Sequence, residues 1–273
     1  MMFDKSVKLK NGVYMPVLGF GTYKIEDGEK TVQAVKNALK IGYRHIDCAS
    51  FYGNEASVGK AIRESGVKRE DIFITSKVWN TEQGYENTLF AFEKTISKLG
   101  TDYLDLYLIH WPKELNEETW RALETLYKEG RVRAIGVSNF KEHHLEEIIA
   151  GAEIVPMVNQ VEFHPRFPQD GLLEFCKKNK IQVEAWGPLM RGNVFEIDLL
   201  KELAEKYNKT ISQIVLRWDL QMGVVTIPKS VNKKRIKENS NIFDFELSEA
   251  DMEKIKQLNT SERIGPDPDN ITF

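Results

Sequence analysis

A chain of 273 residues with 41% hydrophobic and 29% charged side chains has the balance of a folded protein with a sizeable core, which excludes intrinsic disorder. Its 38 basic and 41 acidic residues leave a formal charge of -3, so charge gives no case for nucleic acid or an anionic membrane as a partner. No apolar stretch reaches signal-peptide or membrane-spanning length, and Cys48 and Cys176 are too few for a disulfide framework, so a reducing, cytoplasmic setting is expected.

The opening VKLKNGVYMP (7–16) alternates apolar and polar residues around Asn11-Gly12, a pair suited to a two-residue hairpin turn, and predicts a short β-hairpin. A repeated plan follows, in which a short apolar run ends on a polar residue and gives way to a segment with helical spacing. The runs are VLGFG (17–21), RHID (44–47), DIFITSK (71–77), YLDLYLIH (103–110), RAIGVSN (133–139), MVNQVEF (157–163), IQVEAW (181–186) and GVVTIPKS (223–230). Between them Val32, Val35 and Leu39 recur at helical intervals, as do Leu89, Phe92, Ile96 and Leu99, and then Ile211, Ile214, Val215 and Trp218. Gly42, Gly100, Gly130, Gly151 and Gly223 stand where a left-handed residue closes a helix. No linker or low-complexity tract divides the chain, so residues 1–273 read as a single domain.

Eight βα units in this length predict an α/β fold, a (β/α)8 TIM barrel with an N-terminal β-hairpin. A doubly wound open sheet is the competitor. Gly19-Phe20-Gly21 supplies two glycines of a dinucleotide fingerprint, but Lys24 stands at the third position and no helix begins directly after Gly21.

In such a barrel the active site gathers at the C-terminal strand ends. Here those ends carry Asp47, Lys77, His110, Ser138-Asn139, Gln160, Trp186 and Lys229-Ser230, and Tyr52 follows Asp47 in the next loop. Taken singly, Asp47 reads as a helix cap, Lys77 as a solvated charge, His110 as a half-buried histidine, and Tyr52, Trp79, Trp111 and Trp186 as packed rings. Convergence of Asp47, Tyr52, Lys77 and His110 on one mouth favours a catalytic reading.

At these positions the sequence resembles the aldo-keto reductases. GYRHIDCASFYGNEASVG (42–59) is similar to the family's first signature, Ser76-Lys77 with the following Val-Trp supplies its lysine, and LYLIHWP (106–112) its histidine. GVSNF (136–140), NQVEFHP (159–165) and IPKSVNKKRIKEN (227–239) resemble its cofactor-binding segments. The resemblance implies an NADPH-dependent reductase of aldehydes, ketones and α-dicarbonyls, acting as a monomer. Tyr52 would be the proton donor, Lys77 would make its phenol acidic, Asp47 would hold Lys77, and His110 would orient the carbonyl.

The same resemblance implies cofactor contacts from Gly21, Thr22, Tyr23, Asp47, Ser138, Asn139, Gln160, Trp186, Gly187, Pro188, Leu189, Ile227, Pro228, Lys229, Ser230, Arg235, Glu238 and Asn239. Trp186 would stack on the nicotinamide, at a position that is often Tyr in the family. Lys229, Ser230 and Arg235 would take the 2′-phosphate. Phe20, Trp79, His110 and Trp111 would meet substrate, and the short SERIGPDPDNITF (261–273) tail would leave the pocket open. No metal is expected, because His110, His143, His144 and His164 show no ligand spacing. Two rival readings remain at this point, a non-catalytic NADPH-binding regulatory module and a Schiff-base barrel lyase using Lys77.

Overall fold

Residues 5–273 are described by a computed structural model. Strands β1 (Ser6–Lys8) and β2 (Tyr14–Pro16) pair antiparallel, with Val7 opposite Met15. The hairpin is present, but its turn differs from the expected one. Leu9 and Val13 still share a backbone hydrogen bond of 2.8 Å, so the loop holds three residues and only Gly12 takes a positive φ, of 91°. Asn11 instead accepts from the Val13 amide with its side chain at 3.1 Å, which stabilises the turn without a left-handed backbone at Asn11.

Every apolar run forms a strand: β3 (Phe20–Gly21), β4 (His45–Asp47), β5 (Phe73–Val78), β6 (Leu106–Ile109), β7 (Ile135–Ser138), β8 (Val158–Glu162), β9 (Gln182–Trp186) and β10 (Val225–Thr226). Neighbours from β3 to β10 pair parallel in chain order. The two ends then meet. Leu18 bridges Thr226, Gly19 N donates to Thr226 O at 2.9 Å, and Gly21 N donates to Pro228 O at 3.2 Å. An open sheet has no such seam, so the barrel is closed and the doubly wound alternative is excluded.

The seam also explains the glycine pair. A Cβ on Gly19 would meet Ile227 Cγ2 at 2.7 Å and His45 Nδ1 at 2.8 Å, and one on Gly21 would meet the Ile227 carbonyl oxygen at 3.0 Å. These glycines let β3 lie against β10, a role unrelated to the phosphate turn of an open sheet.

Helices α1 (Glu29–Ile41), α2 (Glu55–Glu64), α3 (Tyr85–Leu99), α4 (Asn116–Lys128), α5 (Glu142–Gly151) and α6 (Asp170–Lys178) each follow one strand. Between β9 and β10 lie α7 (Asp198–Tyr207) and α8 (Ile211–Gln221), and α9 (Lys233–Ser240) and α10 (Glu249–Lys256) follow β10. In α1 the stripe Val32, Val35, Ala38 and Leu39 is buried against the barrel, and burying one such Val or Leu stabilises the fold by about 1.5–3 kcal/mol. Gly100 closes α3 at φ 65°, as its position predicts. Gly151 does not behave this way: it is the last residue of α5, and the chain leaves through an extended Ala152. No helix among the described residues is long and apolar enough to cross a membrane.

Candidate active site

Parallel strands aim their C-terminal ends at one mouth, and a cleft of about 870 Å³ opens there. Asp47 ends β4, Lys77 lies near the end of β5, His110 follows β6, and Tyr52 sits in the loop after β4. Lys77 is fully buried and donates to Asp47 Oδ2 at 2.7 Å, to the Cys48 carbonyl at 3.0 Å and to the Tyr52 hydroxyl at 3.3 Å. The edge of the Tyr52 ring meets His110 with centroids 5.7 Å apart. The sequence-predicted tetrad therefore shares one small volume, and Asp47, Tyr52 and His110 face the cleft.

Electrostatics at this centre run partly against expectation. Burial opposes the charge on Lys77, but attraction to Asp47, with Tyr52 and Cys48 adding to it, together outweighs burial and raises the ammonium above its ordinary value. Tyr52 was expected to be acidified by Lys77. Burial instead dominates and raises the phenol, the Lys77 cation offsets only part of that, and the Asp47 charge adds to the rise. The phenol is thus fully protonated at neutral pH. Burial, followed by repulsion from Lys77, pushes His110 well below the usual imidazole range, so it is neutral, and its buried Nδ1 has no hydrogen-bond partner among the described residues.

Beside the tetrad, Gln160 Nε2 donates to Asp47 Oδ2 at 2.8 Å and Ser138 Oγ donates to the Gln160 carbonyl at 2.9 Å. Asn139, in the left-handed region at φ 66°, donates through Nδ2 to the His110 carbonyl at 2.9 Å. Its Oδ1 accepts from the Trp186 indole at 2.7 Å. Gly187, Pro188 and Leu189 continue the wall from Trp186, and Ile227, Pro228, Lys229, Ser230, Arg235 and Asn239 extend the cleft beyond the seam. Lys229 and Arg235 form no ion pair among the described residues, which leaves both cations available to an anion. Tyr23 lines the cleft with its ring 4.9 Å from that of Tyr52.

Three predicted contacts lie elsewhere. Phe20 is 1% exposed and packs edge-on against Tyr43 at 5.9 Å, because alternation along β3 turns Gly21 to the cleft and Phe20 away from it. Thr22 is buried and spends its hydroxyl on the Asp47 carbonyl at 2.8 Å. Glu238 stands off the cleft lining, 3.8 Å from Lys234.

The mouth is less open than the short tail implies. Phe51 stacks on Trp79 at 3.8 Å, Phe273 stacks on the same indole at 5.7 Å, and Trp111 meets Phe273 edge-on at 5.4 Å. The tail is tied down along its length. Glu162 accepts from the Gly265 amide at 3.0 Å, Lys141 holds Asp267 and Asp269, and Asn80 donates to the Phe273 carbonyl at 3.0 Å. Sequence reading missed Phe51, Glu162 and Phe273. Phe51 adjoins Tyr52 and carried a local signal, whereas the approach of residue 273 to residues 79 and 111 is purely tertiary.

His143 and His144 lie within 3.3 Å of Asp269, a grouping absent from the sequence reading because Asp269 is remote in the chain. His144 Nδ1 already accepts from the Lys141 amide at 3.2 Å, so its neutral ring carries the proton on the Nε2 that faces Asp269. Lys141 supplies the ion pair that clasps Asp269 and the tail, and the two imidazoles stand beside that carboxylate.

A closed parallel barrel with an ammonium, a carboxylate, a phenol and an imidazole at the C-terminal mouth of a long cleft defines a barrel enzyme of the reductase class. Residues 17–260 match the Aldo/keto reductase family, and the chain belongs to that family. It is 60% identical over 269 residues to the glyoxal reductase of Bacillus subtilis (strain 168), covering 98% of each chain. A crystal structure of an aldo-keto reductase enzyme from a Medee basin deep-sea metagenome library superposes with a TM-score of 0.96 at 48% identity, covering 98% of this chain and 100% of that one. A mutant of Gox0644 crystallised in complex with NADPH gives a TM-score of 0.94 at 43% identity, covering 98% and 99%.

Proposed function

We propose that this protein reduces small aldehydes, ketones and α-dicarbonyls to alcohols with NADPH, and that Tyr52 is the general acid. The observation that carries the reading is the Tyr52 hydroxyl at the cleft wall, 3.3 Å from the buried Lys77 ammonium and beside a neutral His110. A reduced nicotinamide, when bound, supplies the hydride that no side chain can donate. The residues of the cleft suit that group. Trp186 offers a flat face, Gly21 brings bare backbone to the cleft, and Lys229 and Arg235 offer unpaired positive charge for a phosphate. Similarity to a glyoxal reductase and to an NADPH complex supports both the substrate class and the cofactor.

The chain's own chemistry follows from burial. A carbonyl that receives hydride becomes a strongly basic oxyanion, so even a phenol raised by burial donates to it downhill. Lys77 then gains: its attraction for the forming phenolate is greatest when the proton has left, and this stabilises the transition state more than the ground state. Neutral His110 offers a hydrogen bond to the carbonyl oxygen without competing as an acid. The apolar slot made by Trp79, Trp111, Phe51 and Phe273 offers aromatic faces that suit compact, weakly polar carbonyl compounds. The two free, buried thiols Cys48 and Cys176 accord with a reducing, cytoplasmic setting.

A panel of glyoxals, aldehydes and keto acids assayed by loss of NADPH absorbance, with NADH alongside, tests reaction, cofactor and substrate together. Tyr52→Phe is expected to abolish turnover while leaving the NADPH Kd unchanged; wild-type turnover in that variant overturns the assignment. Arg235→Glu is expected to raise the NADPH KM far more than the NADH KM.

A further inference from the structure

Beneath Gln160 lies a group that the reaction as derived does not use. Glu184 on β9 is fully buried, and Gln160 Nε2 donates to its Oε2 at 2.8 Å while donating to Asp47 Oδ2 at 2.8 Å. Two carboxyl groups thus share one amide nitrogen. Among the described residues only one cation faces them, Lys77, and it is bound to Asp47 at 2.7 Å. The other basic group, His45, stands 3.5 Å from Glu184 Oε1, but burial, followed by repulsion from Lys77, holds its ring down to about 3, so it brings no positive charge. Glu184 Oε1 has no hydrogen-bond partner among the described residues.

Two carboxyls beside one ammonium in a dry interior cannot both ionise without a large penalty, and the one without a cation keeps its proton. Burial and the neighbouring Asp47 charge accordingly push Glu184 up to about 8. The geometry also settles the Gln160 amide. With two carboxyl oxygens below it, the NH2 end must point down, which turns the Gln160 carbonyl oxygen toward the cleft that Gln160 lines.

We propose that Glu184 is a positioning residue that carries a proton in the free protein, fixes Gln160 with its carbonyl oxygen facing the cleft, and releases that proton to solvent when a cationic nicotinamide is seated above. The inference rests on the nicotinamide reading of the cleft. Loss of the proton leaves a carboxylate under a positively charged ring, so it favours the oxidised cofactor over the neutral reduced one. By linkage, binding of NADP+ and release of the proton strengthen each other.

Two measurements test this. In infrared difference spectra of the free protein, a protonated-carboxyl stretch that Glu184→Gln removes is expected at about pH 6 and is lost as pH rises through the Glu184 value, whereas the buried Asp219, also pushed up by desolvation, gives a separate band in both proteins. In fluorescence titrations the NADP+ Kd is expected to fall about tenfold between about pH 6 and about pH 9, while the NADPH Kd stays flat. Glu184→Gln, isosteric with the protonated acid, is expected to abolish that pH dependence. Glu184→Ala frees the Gln160 amide and is expected to weaken both nucleotides about threefold. A purely structural role would move both nucleotides alike and leave the pH dependence in place. Absence of the band, or a Glu184→Gln variant that keeps the NADP+ pH dependence, overturns the proposal. A protein that binds neither nucleotide overturns the nicotinamide reading together with the release step, and the infrared band then decides the resting proton by itself.

Discussion

Replacing Lys77 by Met tests how the centre of the site is held. The methylene stem lies wholly in the barrel interior, so Met preserves its volume and removes only the ammonium. What remains is the Asp47 carboxylate, 2% exposed, with the Gln160 hydrogen bond as its surviving side-chain donor. Breaking a buried ion pair by removing one partner costs about 3–5 kcal/mol. The retained Gln160 bond places this site at the lower end, about 3 kcal/mol, which for a chain of this size corresponds to a melting point lowered by about 6–12 °C. Urea unfolding followed by circular dichroism, with thermal melts in parallel, reads both quantities. The double variant Asp47→Asn with Lys77→Met removes the orphaned charge and is expected to recover most of the loss while remaining inactive. If Lys77→Met lies within about 1 kcal/mol of wild type, or if the double variant is no more stable than the single one, the buried pair does not carry the charge described here.

Other expectations follow from particular contacts. Gly59→Ala would place a Cβ 2.2 Å from the Leu99 carbonyl oxygen, so it is expected to destabilise by about 1–3 kcal/mol in the same urea assay. Phe273→Ala removes the stack on Trp79 and the edge contact with Trp111; it is expected to raise the KM of apolar aldehydes about threefold to tenfold and to leave the NADPH Kd alone. Because burial keeps His110 neutral, kcat/KM is expected to show no inflection near the ordinary imidazole value of about 6.5, and a limb there that disappears in His110→Gln would contradict this. Glu184, raised from 4.5 to about 8, stabilises the fold fully below the lower value and loses that contribution as pH climbs to the upper one. Glu184→Gln is therefore expected to match wild-type stability at acid pH and to exceed it above about pH 8, and equal pH dependence of the two proteins would refute the shift.

Much of this architecture was readable in the chain because its signals are local. Each strand is an apolar run, and the residues on which those runs stop gather at one end of the barrel: Asp47, His110, Ser138, Gln160 and Trp186 line the cleft, and Lys77 is buried against Asp47. The departures share a different cause. Phe20 reads as a mouth residue until pairing of β3 with β4 fixes which face it takes. Asn139 and Trp186 read as separate cofactor contacts, yet they bond to each other across 47 positions. Lys77 does pull the Tyr52 phenol down, but the net rise was not legible, since desolvation outweighs that pull and no sequence pattern reports desolvation. The tail clasp at Lys141, His143 and His144 depends on a segment more than a hundred residues away, which periodicity cannot reach.

The junction of β3 with β10 has a consequence for how the molecule comes into being. Partners about two hundred positions apart must find each other, so closure carries a high loop entropy and belongs late in folding, after the intervening strands have paired in turn. During synthesis, residues 17–21 wait until residue 226 has left the ribosome, with β3 an unpaired edge on one side and liable to mispairing in the interval. Since Gly21 and Ile227 to Ser230 bring the two flanks of that junction to a single cleft, the cleft acquires both its walls only when the seam has closed.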